Sequence, residues 1–249
     1  MEEVNTTHRL TRKERRVLHQ NKKVNQQEKL NFNLKHIEPL TQNQKKTFQA
    51  SDQDKNLMLF GSAGTGKTFI SLYLALKQVL NNEQFKRVVI VRSVVPTRDM
   101  GFLPGSTKEK TKVYEGPYYA IFNELFGRGD AYEYLKSKNL VEFISTSFIR
   151  GITLNDAIVI VDECQNMSGG ELDTIITRVG QNCKLIICGD FQQTDFRFAD
   201  EKVGIRKFVQ IIRKMNDFSF IEFNQNDIVR SALVRNYIIE KENQGISFI

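Results

Sequence analysis

Gly61, Ser62, Ala63, Gly64, Thr65, Gly66, Lys67 and Thr68 follow one another at the end of an apolar run, Leu57 to Phe60. A glycine loop that closes on Lys-Thr suits one chemistry in particular, the cradling of phosphate. Glycines let the chain turn so that backbone N–H groups point inward at phosphate oxygens, and a helix beginning at the loop's end adds its positive terminus. Lys67 is then expected to reach the β- and γ-phosphates. Thr68 is expected to give a hydroxyl ligand to Mg²⁺, a hard cation that prefers oxygen. The flanks agree, because residues 57–60 form a buried-strand run while Phe69, Leu72, Tyr73, Leu76, Val79 and Leu80 recur at helical spacing.

A second constellation lies at Asp162-Glu163, delivered by the apolar run Ala157 to Val161. Adjacent acids at a strand end have separable roles beside a phosphate loop: Asp162 is expected to hold the metal, directly or through water, and Glu163 to polarise an attacking water. A small-molecule kinase has no use for the second acid. The next strand candidate ends in Gly189-Asp190-Phe191-Gln192-Gln193, which puts Gln193 where a γ-phosphate can be sensed, at the carboxyl edge where open α/β sheets bind ligands. No guanine-reading Asn-Lys-x-Asp segment is present. Upstream, Thr41-Gln-Asn-Gln44 offers an amide, Gln44, able to donate to and accept from an adenine edge at once.

Six strand candidates position these groups, at 57–60, 87–92, 141–145, 157–161, 184–188 and 218–223, alternating with amphipathic helices. That alternation predicts an α/β fold, a parallel sheet covered on both faces. With 249 residues, 40% of them hydrophobic, the chain fits one nucleotide-binding lobe with an appendage. The appendage is expected at residues 1–38, which carry nine Lys/Arg against five Glu. This basic arm is either a solvated tail or a nucleic-acid contact. The stretch from Pro96 to Pro117 mixes Arg98, Lys108, Lys110 and Lys112 with glycines and prolines and is expected to be a working loop.

A net charge of +7 favours polyanionic partners without specifying one. No apolar stretch reaches membrane-spanning length and no signal peptide is apparent, so a cytosolic location is expected, the host cytoplasm if the source is viral. Cys164, Cys183 and Cys188 fall in or beside strands and are expected to be reduced core residues.

Taken in order, these segments resemble the PhoH-like family of ATPases, whose lobe is similar to the first RecA-like domain of superfamily 1 helicases. Gly101-Phe-Leu-Pro-Gly105 and Arg150-Gly-Ile-Thr-Leu-Asn-Asp156 are the more specific matches, beside Asn43-Gln44, Gly61 to Thr68, Asp162-Glu163, Thr177-Arg178, Gly189-Asp190, Gln193 and Asp227-Ile-Val-Arg230. Departures are Cys164, Val113 and Gly116, where the family usually has Ala, Pro and Arg. The resemblance implies a P-loop NTPase with a RecA-like three-layer sandwich, binding ATP and Mg²⁺ over residues 39–249. It further implies coupling to RNA or single-stranded DNA, with Arg92, Arg98, Lys108, Lys110, Lys112 and Arg150 as candidate phosphate contacts and Phe102, Tyr114, Tyr118 or Tyr119 as candidate base-stacking groups. Some relatives carry a PIN nuclease in front of the ATPase, but no aspartate precedes Asp52, so no such nuclease is expected. The stand-alone form is found in bacteria and commonly in phages. Because related helicases complete their ATP site with an arginine from a second lobe, a homo-oligomer is expected, most simply a hexameric ring, with Arg178 or Arg230 acting in trans. The alternatives are a P-loop kinase and a regulatory ATP switch that does no mechanical work.

Overall fold

A computed structural model describes residues 33–81, 84–94, 107–190 and 199–246, with the backbone alone for 107–111 and 199–203. The strand runs form β1 (Asn56–Gly61), β2 (Arg87–Arg92), β3 (Val141–Ser145), β4 (Ala157–Asp162), β5 (Cys183–Gly189) and β6 (Phe218–Phe223). All pair in parallel, in the order β3-β2-β4-β5-β1-β6. The helices are α1 (Gln42–Asp52), α2 (Lys67–Asn81), α3 (Thr107–Phe126), α4 (Ala131–Ser137), α5 (Gly169–Arg178), α6 (Ala199–Ile212) and α7 (Ala232–Asn243).

The unbroken apolar strands are what a sheet buried on both faces requires, because alternate side chains must all enter a core. Leu57, Leu59, Val88, Ile90, Ile158 and Ile160 point into one core with α1 to α4. Met58, Val89, Val91, Val159 and Val161 point into the other, against α5 and α6. The result is the three-layer P-loop α/β sandwich expected from the sequence.

Two boundaries differ from expectation. Residues 107–117 are the first half of α3 rather than loop, even with Pro117 inside the helix. Their Lys, Thr and Glu residues hide the start of the element, since no apolar period announces it. Leu34 and Ile37 also pack on the first core, and Lys35 donates its N–H to the Leu125 carbonyl at 2.9 Å, so the lobe begins before residue 38. Residues 1–32 of the basic arm lie outside the described residues, as do Arg98, Phe102 and Gln193 and the side chains of Lys108 and Lys110.

Candidate active site

The phosphate loop joins β1 to α2 at the carboxyl edge of the sheet. Gly61, at φ +113°, could carry no side chain, because a Cβ there would fall 1.9 Å from the Phe223 carbonyl oxygen of the neighbouring strand. Ser62 in turn donates its N–H to that carbonyl at 3.1 Å. Inside the loop, Thr65 is buried and its hydroxyl donates to the Ser62 carbonyl at 3.0 Å. Lys67 folds back over the cradle, its Nζ donating to the carbonyls of Gly61 at 2.8 Å and Ser62 at 2.7 Å. Burial lowers the pKa of this ammonium, and the carboxylates of Asp190, Glu163 and Asp162 oppose that shift.

One strand, β5, stands between β1 and β4, and the two functional strand ends still meet. The Thr68 hydroxyl donates to Oδ1 of Asp162 at 2.7 Å across 94 residues of sequence. Adjacent oxygens in an octahedral Mg²⁺ shell lie about 2.9 Å apart, given metal–oxygen distances near 2.0–2.1 Å. The Thr68–Asp162 pair therefore fits such an ion, with Lys67 and the loop amides supplying the charge and donors that a triphosphate needs.

Glu163 sits in the left-handed region at φ +53°, ψ +43°, a conformation costly for a side chain of this size and common at working sites. That turn carries its carboxylate to the Nε2 amide of Gln165, which donates to it. Burial pushes the Glu163 pKa up and the Asp162 charge adds to this, while Gln165, Arg92 and Lys67 oppose it. Gln165 also accepts the Asp190 N–H at 2.9 Å, locking the acidic turn to the end of β5. The Sγ of Cys164 sits where a Cβ on Gly189 would come within 2.4 Å, so Cys164, in place of the usual alanine, fits only against a glycine. All three cysteines are free, Cys164 and Cys188 buried and Cys183 half-buried.

Several residues occupy positions other than those expected. Gln44 is buried, its Oε1 accepting the Leu40 N–H at 2.7 Å and its Nε2 donating to the Thr65 carbonyl at 3.1 Å. Each end of the amide is engaged by the protein, and through Thr65 it braces the phosphate loop. Tyr118 is fully buried, not available for stacking, and its hydroxyl donates to Oδ2 of Asp162 at 2.8 Å. Tyr119 is half-buried, with its hydroxyl on Glu133 and its ring 4.6 Å from that of Tyr132, and Tyr114 is half-buried as well. Arg92 pairs in register with Asp162 and turns inward; burial opposes its charge, but Tyr118, Asp162 and Glu163 more than offset this. It is thus part of the acidic cluster and not of an outer phosphate track.

Arg178 and Arg230 separate. Arg178 ends α5, where its carbonyl accepts the Leu154 N–H at 2.8 Å, at the amino edge of β4 and a strand's length from the loop. Its Nε is buried with no hydrogen-bond partner among the described residues. Arg230 lies instead on its own chain's phosphate loop. A Cβ on Gly64 would fall 2.9 Å from Arg230 Cγ and 3.7 Å from Nε, and Val229 donates its N–H to the Gly64 carbonyl at 3.0 Å. Arg150 and Lys112 are exposed. Near Arg150, Phe148 is 56% exposed in the turn after β3, an aromatic that the sequence does not single out because it stands alone between Ser147 and the buried Ile149.

Asp227 holds this region together from below. It accepts the side-chain amide of Asn43 at 2.7 Å and the Asn224 N–H at 3.0 Å, which ties the start of α1 to the segment after β6.

The fold and site define a P-loop nucleotide-binding α/β protein. Residues 36–241 match the family described as PhoH-like protein, and the chain belongs to that family. It is 32% identical over 212 residues to a PhoH-like protein of Bacillus subtilis, covering 85% of this chain and 66% of that protein. Protein PhoH of Escherichia coli is 29% identical over 187 residues, covering 74% of this chain and 52% of that protein. The chain thus spans between half and two thirds of the length of these relatives. Among solved structures, the Pif1 helicase from Bacteroides in complex with ADP-AlF3 and ssDNA is similar at 14% identity and a TM-score of 0.41, over 86% of this chain and 48% of that one.

Proposed function

We propose that this protein hydrolyses ATP in a Mg²⁺-dependent reaction and couples turnover to RNA or single-stranded DNA. The observation that carries the reading is the meeting of Thr68 and Asp162 at 2.7 Å with Glu163 next in the chain. The loop amides and Lys67 bind the β- and γ-phosphates, and Thr68 and Asp162 would hold the metal. That ion, when bound, offsets phosphate charge. Glu163 orients the attacking water and accepts its proton, a role that its raised pKa favours. A kinase needs no water-activating glutamate, because its acceptor is not water.

The nucleic-acid half is supported by the net charge of +7 and by exposed Arg150 and Phe148, two residues apart at the carboxyl edge, a cation for phosphate and a ring for a base. The assembly reading, a homo-oligomer and most simply a hexameric ring, is supported by α7. No residue of this helix is buried, and Leu233 and Tyr237, one turn apart, are 81% and 57% exposed beside the phosphate loop. A head-to-tail contact on that face would bring a neighbour's far edge, with Arg178, toward the nucleotide.

The test is ATP turnover with and without RNA or single-stranded DNA at two salt concentrations. Stimulation that weakens with salt is expected, because phosphate contacts release counterions. Phosphate transfer to an acceptor would replace this reading with the kinase, and binding without turnover would replace it with the switch.

A further inference from the structure

The metal-side carboxylate is held by a residue from outside the phosphate loop and the strand that carries the acid. Tyr118, on α3, is fully buried and donates its hydroxyl to Oδ2 of Asp162 at 2.8 Å, while Thr68 occupies Oδ1. Arg92, in register with Asp162 on the neighbouring strand, sets its positive charge beside both the phenol and the carboxylate. The ring packs against Tyr132, at a centroid distance of 6.5 Å, and Phe143, at 5.9 Å. A side chain buried in this way fixes what it bonds.

We propose that Tyr118 is a positioning residue that sets the rotamer of Asp162 and thereby the affinity of the site for the magnesium of a bound nucleotide. This rests on the ATPase reading and deepens it. With Oδ2 engaged by the phenol, Oδ1 alone faces Thr68 and the metal position, so the carboxylate does not swing between two orientations as the ion arrives. Partners of this kind behind a metal ligand alter metal affinity by about 10- to 100-fold when removed.

The test is the binding of a fluorescent ADP derivative to the whole protein, titrated with Mg²⁺ and repeated in chelator, for the unmodified chain and Tyr118→Phe. Phenylalanine keeps the ring packing and removes only the hydroxyl. The expected result is a rise of about tenfold or more in the Mg²⁺ concentration needed for half of the metal-dependent tightening, with metal-free ADP affinity unchanged because Lys67 and the loop are intact. Arg92→Gln should move the same quantity in the same direction by less. An unchanged Mg²⁺ requirement in Tyr118→Phe overturns the proposal, and so does an equal loss of binding with and without metal, which marks a merely structural role. Failure of the unmodified protein to bind ADP at any Mg²⁺ concentration would instead remove the ATPase reading beneath it.

Discussion

Arg230 rests on Gly64 of its own chain, with Nε 3.7 Å from where a Cβ on that glycine would stand. The cause is the sheet. β6 runs parallel beside β1, with Gly61 paired to Phe223, so the segment leaving β6 emerges next to the loop leaving β1. Arg178 is carried by α5 to the opposite edge. Arg230 thus lies beside the phosphate loop of its own chain, while Arg178 lies at the far edge of the sheet from that loop.

Mixing experiments separate them. Subunits bearing Lys67→Ala and subunits bearing Arg178→Ala should recover turnover when mixed, since a mixed interface combines an intact site with an intact arginine. Lys67→Ala mixed with Arg230→Ala should recover none, because no subunit then carries both groups. Each arginine variant alone should be slowed by about 10³-fold if it meets charge developing in the transition state. Recovery in the Arg230 mixture would return that residue to the trans role.

Much of this site was legible in the sequence because its residues are local. The phosphate loop and the Asp162-Glu163 turn are contiguous segments whose flanking apolar runs announce strands. The unread parts are contacts that only packing creates. That Tyr118 meets Asp162 depends on α3, whose polar first half gives no helical period. That Arg230 lies in cis depends on β6 pairing with β1, and strand order is not written in any one segment. Gln44 has the donor–acceptor amide expected of an adenine reader, but its partner Thr65 is 21 residues away, and the engagement of the amide at both ends appears only once α1 packs against the loop.

Glu163→Gln should leave Mg-ATP binding nearly intact and slow turnover by at least about a hundredfold, within the usual range for a general base. Lys67→Ala should instead lose both turnover and much of the binding, because it removes the charge opposite the β- and γ-phosphates. Single-turnover rates beside equilibrium nucleotide binding distinguish the two. A Glu163→Gln protein that hydrolyses ATP at the unmodified rate would move the base elsewhere.

Gln44→Ala separates a brace from a base reader. If the amide only holds Leu40 and Thr65, its loss should weaken ATP and GTP binding to the same degree and lower stability by about 1–3 kcal/mol, the cost of leaving buried partners unmet. Denaturant unfolding and paired titrations with the two nucleotides measure both effects. A selective loss of ATP over GTP would assign Gln44 to the base after all.

Asp227 supplies a pH-dependent contribution to the fold's stability that can be tested away from the metal position. Burial works to raise its pKa, but hydrogen bonds from the Asn224 backbone, Thr41 and Asn43 outweigh it and hold the value below the ordinary carboxylate range. A carboxylate whose pKa is depressed in the folded state stabilises that state above its unfolded pKa, near 3.9 for aspartate, and loses the contribution as pH falls through the folded value. Asp227→Asn should therefore cost about 2 kcal/mol at neutral pH, the scale of hydrogen bonds to a charged acceptor, and the gap to the unmodified protein should close as the pH drops below about 4. Unfolding followed across that range gives the result directly. A gap that stays constant with pH would mean that the carboxylate's charge contributes nothing and that the Asn43 and Asn224 contacts act only through shape.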